Sequence, residues 1–293
     1  MCVAAWRRSK RFFAKSTILK IQPESILFGG YPMNISGLVI TLNEEKNIQS
    51  CLESLMQVCD EVILVDSGST DCTVDIARKM GAIVVEQAYL GDGFQRNFGV
   101  AYAKNDWILC LDADERMDEN LVEFLKNLCV SEEGPDAYAF RRKNLLGSRW
   151  IKHCGWYPDY CARLYNRKKA KFSEVKQHAK VLAENIKRID RDMIHYSFRN
   201  IGELFSKPGR NFSTRAAKIM YLENRKVHCF SPFLHGINSF IRKYFLKRGF
   251  LDGVDGMTVA LSSGVNGYLK YAKLLELQRD SAVLKQQDFD KIW

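Results

Sequence analysis

From Ser36 onward, short apolar β-branched runs alternate with stretches in which apolar residues recur every three or four positions. SGLVITL (36–42) is the first run. In the following segment, EEKNIQSCLESLMQ, Ile48, Cys51, Leu52 and Leu55 fall at i, i+3, i+4 and i+7, the spacing of one helix face, with Asn43 as the expected N-cap. EVILVD (61–66) predicts a second strand, the turn SGSTD leads into a helix CTVDIARKM, and Gly81 stops it. AIVVE (82–86) predicts a third strand, followed by a Gly-punctuated loop, GDGFQRN, and a short helix. WILCLD (107–112) is the fourth strand, and a helix from Asp118 to Cys129 closes the series. Strands alternating with helices of this length predict βαβ units on a mainly parallel sheet. After SEEGPD the character changes: AYAFRRKN predicts a strand, SRWIKHCGWYPDYCARLYNRKKAKF a Trp- and Tyr-rich loop, and strand and loop continue to about 195. From Ile201 the pattern is helical, around 201–224, 231–249 and 265–278. No internal repeat or low-complexity tract interrupts it.

Composition places this pattern in an ordinary globular chain of 293 residues, 46% hydrophobic and 27% charged, which excludes disordered, collagenous and polytopic membrane classes. The net charge of +10 suggests nucleic acid or an anionic membrane surface as partner, until its distribution is considered. Residues 34–135 carry 7 Lys/Arg against 19 acids, whereas 136–198 carry 15 against 6 and 199–293 carry 16 against 8. Residues 1–33, basic and poor in acids, precede the first strand pattern and are expected to lie outside the fold, either as a transit segment or as upstream sequence before a start at Met33. The expected organisation is therefore this extension (1–33), an acidic α/β half (34–135), a second half of the same domain (136–198), and a basic helical region (199–293). Nine cysteines, an odd number without a C-x-x-C pair, read as reduced core or half-buried residues of a cytosolic protein.

The carboxylates gather at strand C-terminal ends, where ligands bind in open α/β sheets. LDADE places Asp112 and Asp114 at the end of a buried run; on an extended segment their i, i+2 spacing points both the same way, as hard oxygen ligands for Mg2+ or Mn2+ with a diphosphate in the remaining positions. Asp66 ends the second strand and can accept from a base or ribose hydroxyl, while Ser69, Thr70 and Asp71 beside it also suit helix capping. No G-x-G-x-x-G and no P-loop follows the first strand. TLNEEKN stands there instead, an acidic entrance that favours base and ribose recognition with a metal handling the phosphates.

ISGLVITLNEEKNI, CDEVILVDSGSTDCTVDIA, GFQRN and DWILCLDADE, in this order, resemble the catalytic half of inverting family 2 glycosyltransferases with the GT-A fold. GWYPDYCARLYNR, IHYSFRNIGELFSK and KRGFLDGVDGMTVALSSGVNGYLKYAKL extend the resemblance to about residues 35–278. It is narrower toward the bacterial β-1,4-glucosyltransferases that modify the heptose region of the lipopolysaccharide core. The resemblance implies an α/β domain of GT-A type with a mainly parallel central sheet, and it implies Thr41, Asn43, Glu44 and Asp66 around the nucleoside. It further implies Gln95, Arg96 and Asn97 beneath the donor, Asp112 near the ribose and Asp114 on the metal. For the base that deprotonates the acceptor, Asp159 in WYPD is the first choice and Glu174 the second. Arg163, His178 and His195 are acceptor-side candidates. Where the subgroup has V-H-E, this chain reads Gln177, His178, Ala179.

In the last third, residues 199–250 hold 11 Lys/Arg and 2 acids interleaved with large apolar residues, as in SPFLHGINSFIRKYFLKRGFL. Such helices favour an anionic interface, although a helical packing layer with a solvated basic face has the same composition. No nucleic-acid-binding module is found. The expected protein is a metal-dependent transferase using a UDP-sugar, UDP-glucose foremost, and a lipid-anchored phosphorylated oligosaccharide acceptor. It would act peripherally on the cytoplasmic face of the bacterial inner membrane. The alternatives are a polyprenyl-phosphate or peptide glycosyltransferase, or a binding protein of the same fold without turnover.

Overall fold

The computed structural model describes residues 31–280, apart from 177 and 211. Most of the extension 1–33, the C-terminal residues beyond 280 and Gln177 of the Gln177–Ala179 string therefore lie outside the described residues. Within them, the backbone of Tyr31–Pro32 pairs with Cys129–Val130, and Met33 packs on the core, so the fold begins inside the segment expected to precede it.

The first half follows the alternation of the sequence: β1 (Ile35–Thr41), α1 (Ile48–Leu55), β2 (Glu61–Asp66), α2 (Thr73–Lys79), β3 (Ile83–Glu86), α3 (Asp92–Val100) and β4 (Trp107–Asp112). β3, β2, β1 and β4 pair in parallel in that order. Val62 to Val65 and Ile108 to Leu111 are buried on both faces because helices cover the sheet on each side, which is why these strands read as continuous apolar runs. One core lies between the sheet and the faces of α1 and α4 (Glu119–Lys126), filled by Ile48, Leu52, Leu55, Leu121 and Leu125; a second lies on the opposite face around Leu38, Val65, Ile108 and Phe172. α4 starts where Asp118 accepts from the Leu121 amide at 2.9 Å.

The sheet then becomes mixed. After β5 (Glu115–Met117) come β6 (Ala137–Leu146), β7 (Tyr160–Asn166) and the long β8 (Ile186–Phe198), and the full order is β3-β2-β1-β4-β7-β6-β8-β5. β7 is antiparallel to β4 and β6, and β8 runs parallel to β6 and antiparallel to β5. Two tertiary tasks, register against β6 and contact with β5, fall on β8. From Ile201 the chain is helical: α5 (Ile201–Arg210), α6 (Phe212–Leu222), α7 (Ser231–Ile241), a π-helical turn Arg242–Leu246, a 3-10 turn Gly249–Asp252 and α8 (Gly253–Asp280).

Three local expectations change, each for a physical reason. GDGFQRN is not a loop but most of α3; Gly93 is there because a Cβ would sit 1.8 Å from the Ser173 carbonyl oxygen, and Gly99 because one would sit 2.5 Å from Leu38. Asn43 does not cap α1, which begins after Asn47; with φ 56° it takes a left-handed turn and its Oδ1 accepts from the Thr70 amide at 2.8 Å. The last helix extends upstream of 265 to Gly253, since Gly256 and Gly264 are sites of close backbone approach and not stops.

Candidate functional site

β4 delivers Asp112 to the centre of a buried ion network. Arg96 on α3 donates to Asp112 Oδ1 at 2.7 Å and to Asp92 Oδ1 at 3.1 Å, and its guanidinium lies 5.1 Å from the Phe172 ring centroid. Arg163 on β7 donates to Asp112 Oδ2 and to Glu115 Oε1, and Glu115 Oε2 accepts the Asp112 amide at 3.0 Å. Glu115, Arg163 and Arg96 are buried. Burial alone would push the Asp112 carboxyl up, but Arg163 and Arg96 overwhelm it and hold the group far below the usual carboxylate range. Arg163 is likewise desolvated yet held well above its ordinary value by Asp112 and Glu115. Asp112 is thus a fixed anion with both oxygens committed to guanidinium groups, and removing any member strands a buried charge. Arg163, expected on the acceptor side, is a strut between two carboxylates.

The extended geometry expected for Asp112 and Asp114 is replaced by a turn at Ala113–Asp114 between β4 and β5, so the two carboxylates face different neighbours. Asp114 Oδ2 lies 3.4 Å from His195 Nε2. His195 sits near the C-terminal end of β8, in register with Asn144 of β6 on one side and Glu115 of β5 on the other. The ring orientation follows from its neighbours. Asn144 Nδ2 donates to the Trp156 carbonyl at 2.8 Å, which fixes the amide with Oδ1 toward His195 Nδ1 at 2.7 Å. Nδ1 therefore carries the proton, and in the neutral ring Nε2 presents a lone pair to a carboxylate. Two acceptors facing each other call for a cation between them or a second proton on the ring. The pair fits a divalent ion: an imidazole whose other nitrogen is fixed by a hydrogen bond, plus a carboxylate, at a separation close to the roughly 3 Å between adjacent ligands of an octahedral ion. Among the described residues no third His, Cys, Asp or Glu joins them.

Three cavities follow one another here, the one of His195 sharing Phe198 with the one of Asp114 and Asp159 with the one of Asp112. Asp114, Glu44, Asn47 and Tyr196 line one of about 250 Å3. Asp112, Arg96, Arg142, Arg163 and His178 line one of about 590 Å3. His195, Asn144, Ser197 and Asn266 line one of about 580 Å3, and Asp159 borders both of the larger two. Asp159 follows the cis Tyr157–Pro158 bond. Arg142 Nε and Nη2 donate to its Oδ2 at 3.0 and 2.6 Å, while Oδ1 takes no hydrogen bond among the described residues. Glu174 is on the surface, ion-paired to Lys171 at 2.9 Å, and lines none of these cavities. His178, with φ 56°, stacks on Phe212 of α6 at 5.5 Å, and the Ala179 amide donates to Asp92 Oδ2 at 2.7 Å.

The remaining candidates knit the strand-end loops together. Thr41 Oγ1 and the Gly68 and Ser69 amides all donate to Asp66, which is buried and closes the turn after β2. Glu44 accepts from Asn47, and its amide donates to Thr73 Oγ1 at 2.8 Å. Gln95 spans Leu90, Ser67 and Gln87, and Asn97 holds both the amide and carbonyl of Phe172. Arg142, Asn144 and Glu115 carry no signal of their own in the sequence; AYAFRRKN reads as a strand, and only its register against β8 assigns Arg142 and Asn144 to the site.

Residues 36–174 match the model of glycosyl transferase family 2. An uncharacterized glycosyltransferase of Rickettsia bellii is 32% identical over 255 residues, 83% of this chain and 86% of that protein. A lipopolysaccharide core biosynthesis glycosyltransferase of Rhizobium meliloti is 26% identical, over 83% of this chain and 92% of that protein. Among solved structures, a glucosyl-3-phosphoglycerate synthase of Mycobacterium tuberculosis, in complex with Mn2+, uridine diphosphate and phosphoglyceric acid, is 28% identical. That similarity covers 38% of this chain and 44% of the other, with a TM-score of 0.32.

Proposed function

The chain belongs to glycosyl transferase family 2 and is a glycosyltransferase of α/β, GT-A-like fold, and from that premise we propose that it transfers glucose from UDP-glucose, with inversion, to a phosphorylated, lipid-anchored oligosaccharide of the lipopolysaccharide core. One observation carries this reading: His195 meets Asp114 at 3.4 Å and lines, with Asp159, a cavity of about 580 Å3, while Asp114 lines the cavity of about 250 Å3 beside it, so the candidate metal pair stands between two spaces and the candidate base borders one of them. Its acceptor class is supported by the 26% identical relative named for lipopolysaccharide core biosynthesis.

Asp114 and His195 would hold Mg2+ or Mn2+, a role for His195 in place of the acceptor contact expected from sequence. Bound there, the ion neutralises the donor phosphates and the charge that develops on the leaving nucleotide. The protein's own groups do the rest. Asp159 Oδ1 takes the proton of the acceptor hydroxyl as that oxygen bonds to the anomeric carbon and the bond to UDP breaks; Arg142 fixes the carboxylate through Oδ2 and leaves Oδ1 to act. The Asp112–Arg96–Arg163–Glu115 network holds the floor of the cleft rigid, so that donor and acceptor meet without rearranging charged groups. Asp66, Thr41, Asn43 and Glu44 shape the pocket for the nucleoside, and Gln95 and Asn97 pin α3 beneath the donor.

Attachment to an anionic membrane surface is supported by α7. No helix among the described residues is long and apolar enough to cross a membrane, yet Phe230, Phe233, Leu234 and Ile237 expose 71, 58, 66 and 57% of their surface on and just before α7. Arg242, Lys247 and Arg248 follow directly, each near an anionic leaflet contributing on the order of 1 kcal/mol.

The test is UDP release from a panel of UDP-sugars, with and without extracted lipooligosaccharide, in Mn2+ and in chelator. Acceptor-stimulated release from UDP-glucose that stops in chelator and in Asp114→Ala is expected. Activity that survives either treatment would overturn the metal assignment.

A further inference from the structure

α7 and α8 cross at close range because glycines line the contact. A Cβ at Gly236 would lie 3.1 Å from the Gly264 carbonyl oxygen, one at Gly267 2.6 Å from Ser239 Oγ, and His235 stacks on Tyr271 with ring centroids 3.7 Å apart. At the end of α7 the helix widens into the π-turn Arg242–Leu246, a form frequent at functional sites. Gly249 lets this turn dock on the domain, since a Cβ there would meet Cys154 Sγ at 2.5 Å and the Lys243 carbonyl at 2.9 Å. The result is a cavity of about 430 Å3 that brings Arg242 and Lys243 from the π-turn together with Ser239, Asn266 and Lys270.

The charge in this cavity is one-sided. None of Arg242, Lys243 and Lys270 forms an ion pair among the described residues, and the acids next along the chain, Asp252 and Asp255, are taken by His153 and Arg149. Burial, with Arg242 and Lys247 close by, pulls the Lys243 ammonium below its ordinary range. Lys243 and Lys270 are half-buried and Arg242 is exposed beside them, and like charges gathered on one cavity destabilise one another unless an anion joins them. Asn266 Oδ1 is buried without a partner among the described residues, and the amide can turn to put N–H donors there. Asn266, Phe212 and Ser263 also line the neighbouring cavity that contains His195 and Asp159, so the two spaces adjoin.

We propose that the cavity between the π-turn and α8 binds a phosphate group of the acceptor, with Arg242, Lys243 and Lys270 as its cationic contacts, and thereby presents the acceptor hydroxyl to Asp159. This rests on the transferase reading above and adds what that reading lacks, a place for the acceptor's charge. The ligand is a phosphate ester: multidentate hydrogen bonding from a guanidinium and two ammonium groups suits its oxygens.

The full chain is titrated with inorganic phosphate by calorimetry at low ionic strength, as wild type, Asp114→Ala, and the double variant Lys243→Met with Lys270→Met, each first checked for an unchanged melting temperature. Wild type and Asp114→Ala bind alike, and the double variant loses at least tenfold in affinity; equal binding by all three overturns the site. A Lys243→Arg single variant retains binding if charge is what matters, and loss of binding in it would contradict a purely ionic contact. Transfer to intact and phosphatase-treated lipooligosaccharide then assigns the ligand. Wild type shows a KM at least tenfold lower for the intact acceptor, and the double variant shows no such preference; a preference that survives the double variant overturns the acceptor assignment. Co-sedimentation with phosphatidylglycerol vesicles is the same for wild type and the double variant, whereas its loss would make the cavity a lipid headgroup site and overturn the proposal. Absence of turnover with every donor would refute the transferase reading, while the phosphate titration still decides whether the anion site exists.

Discussion

The strand-end cleft, built from both halves of the α/β domain, and the helical C-terminal layer treat charge in opposite ways. In the first, the guanidinium groups of the cleft are matched among the described residues: the buried Arg96 with Asp92 and Asp112, the buried Arg163 with Asp112 and Glu115, the half-buried Arg142 with Glu115 and Asp159. In the second, Arg242, Lys243 and Lys270 gather around a cavity without a carboxylate among the described residues, beside apolar side chains turned to solvent. A matched network is a device for holding geometry, its charges paired within the chain although Arg163 Nε is left without a hydrogen bond among the described residues. Unmatched cations and an exposed apolar face have no such partners within the described residues, and that is the physical difference between the two regions.

Substitutions can break this contrast at several depths. The largest effect falls on the proposed base: Asp159→Asn lowers kcat by about 10²–10⁴-fold with little change in KM for the donor, measured as initial rates of UDP release. Next is stability in the matched half. Glu115→Ala leaves Arg163 buried without one of its two partners and costs about 3–5 kcal/mol in urea unfolding, whereas Arg242→Gln in the unmatched layer stays within about 0.5 kcal/mol of wild type. Gly93→Ala drives a Cβ into the Ser173 carbonyl and costs about 1–3 kcal/mol in the same measurement. The smallest effect on folding and the clearest on docking comes from α7: Leu234→Glu leaves the melting temperature unchanged and reduces co-sedimentation with phosphatidylglycerol vesicles several-fold, and unchanged sedimentation would remove α7 from the membrane reading.

How much of this was legible in the sequence depends on the distance over which each feature is encoded. The first four strands and their helices were readable because period and cap lie within a few residues of each other. Gly93, in the stretch that reads as a Gly-punctuated loop, and Gly256 and Gly264, upstream of the expected last helix, each stand where another backbone or side chain comes too close for a Cβ, which no single segment reveals. Asp112 and Asp114 were visible as a pair at a strand end, yet their division of labour was not. Asp112 is claimed by Arg163, 51 residues away, and Asp114 meets His195, 81 positions further along the chain, only because β5 pairs with β8. His195 could be singled out only as a histidine. Its tautomer, and with it the chemistry it offers Asp114, comes from Asn144 and Trp156, both fixed by the register of β8 against β6 and the loop that follows β6.

The proposed metal site depends on that histidine more than on any other single side chain. Mn2+ affinity in the presence of UDP, read by electron paramagnetic resonance on wild type and His195→Ala, tests it directly. A loss of at least tenfold in His195→Ala with an unchanged melting temperature is the expected result, and equal affinity in the two proteins would contradict the pairing of His195 with Asp114 as the metal site.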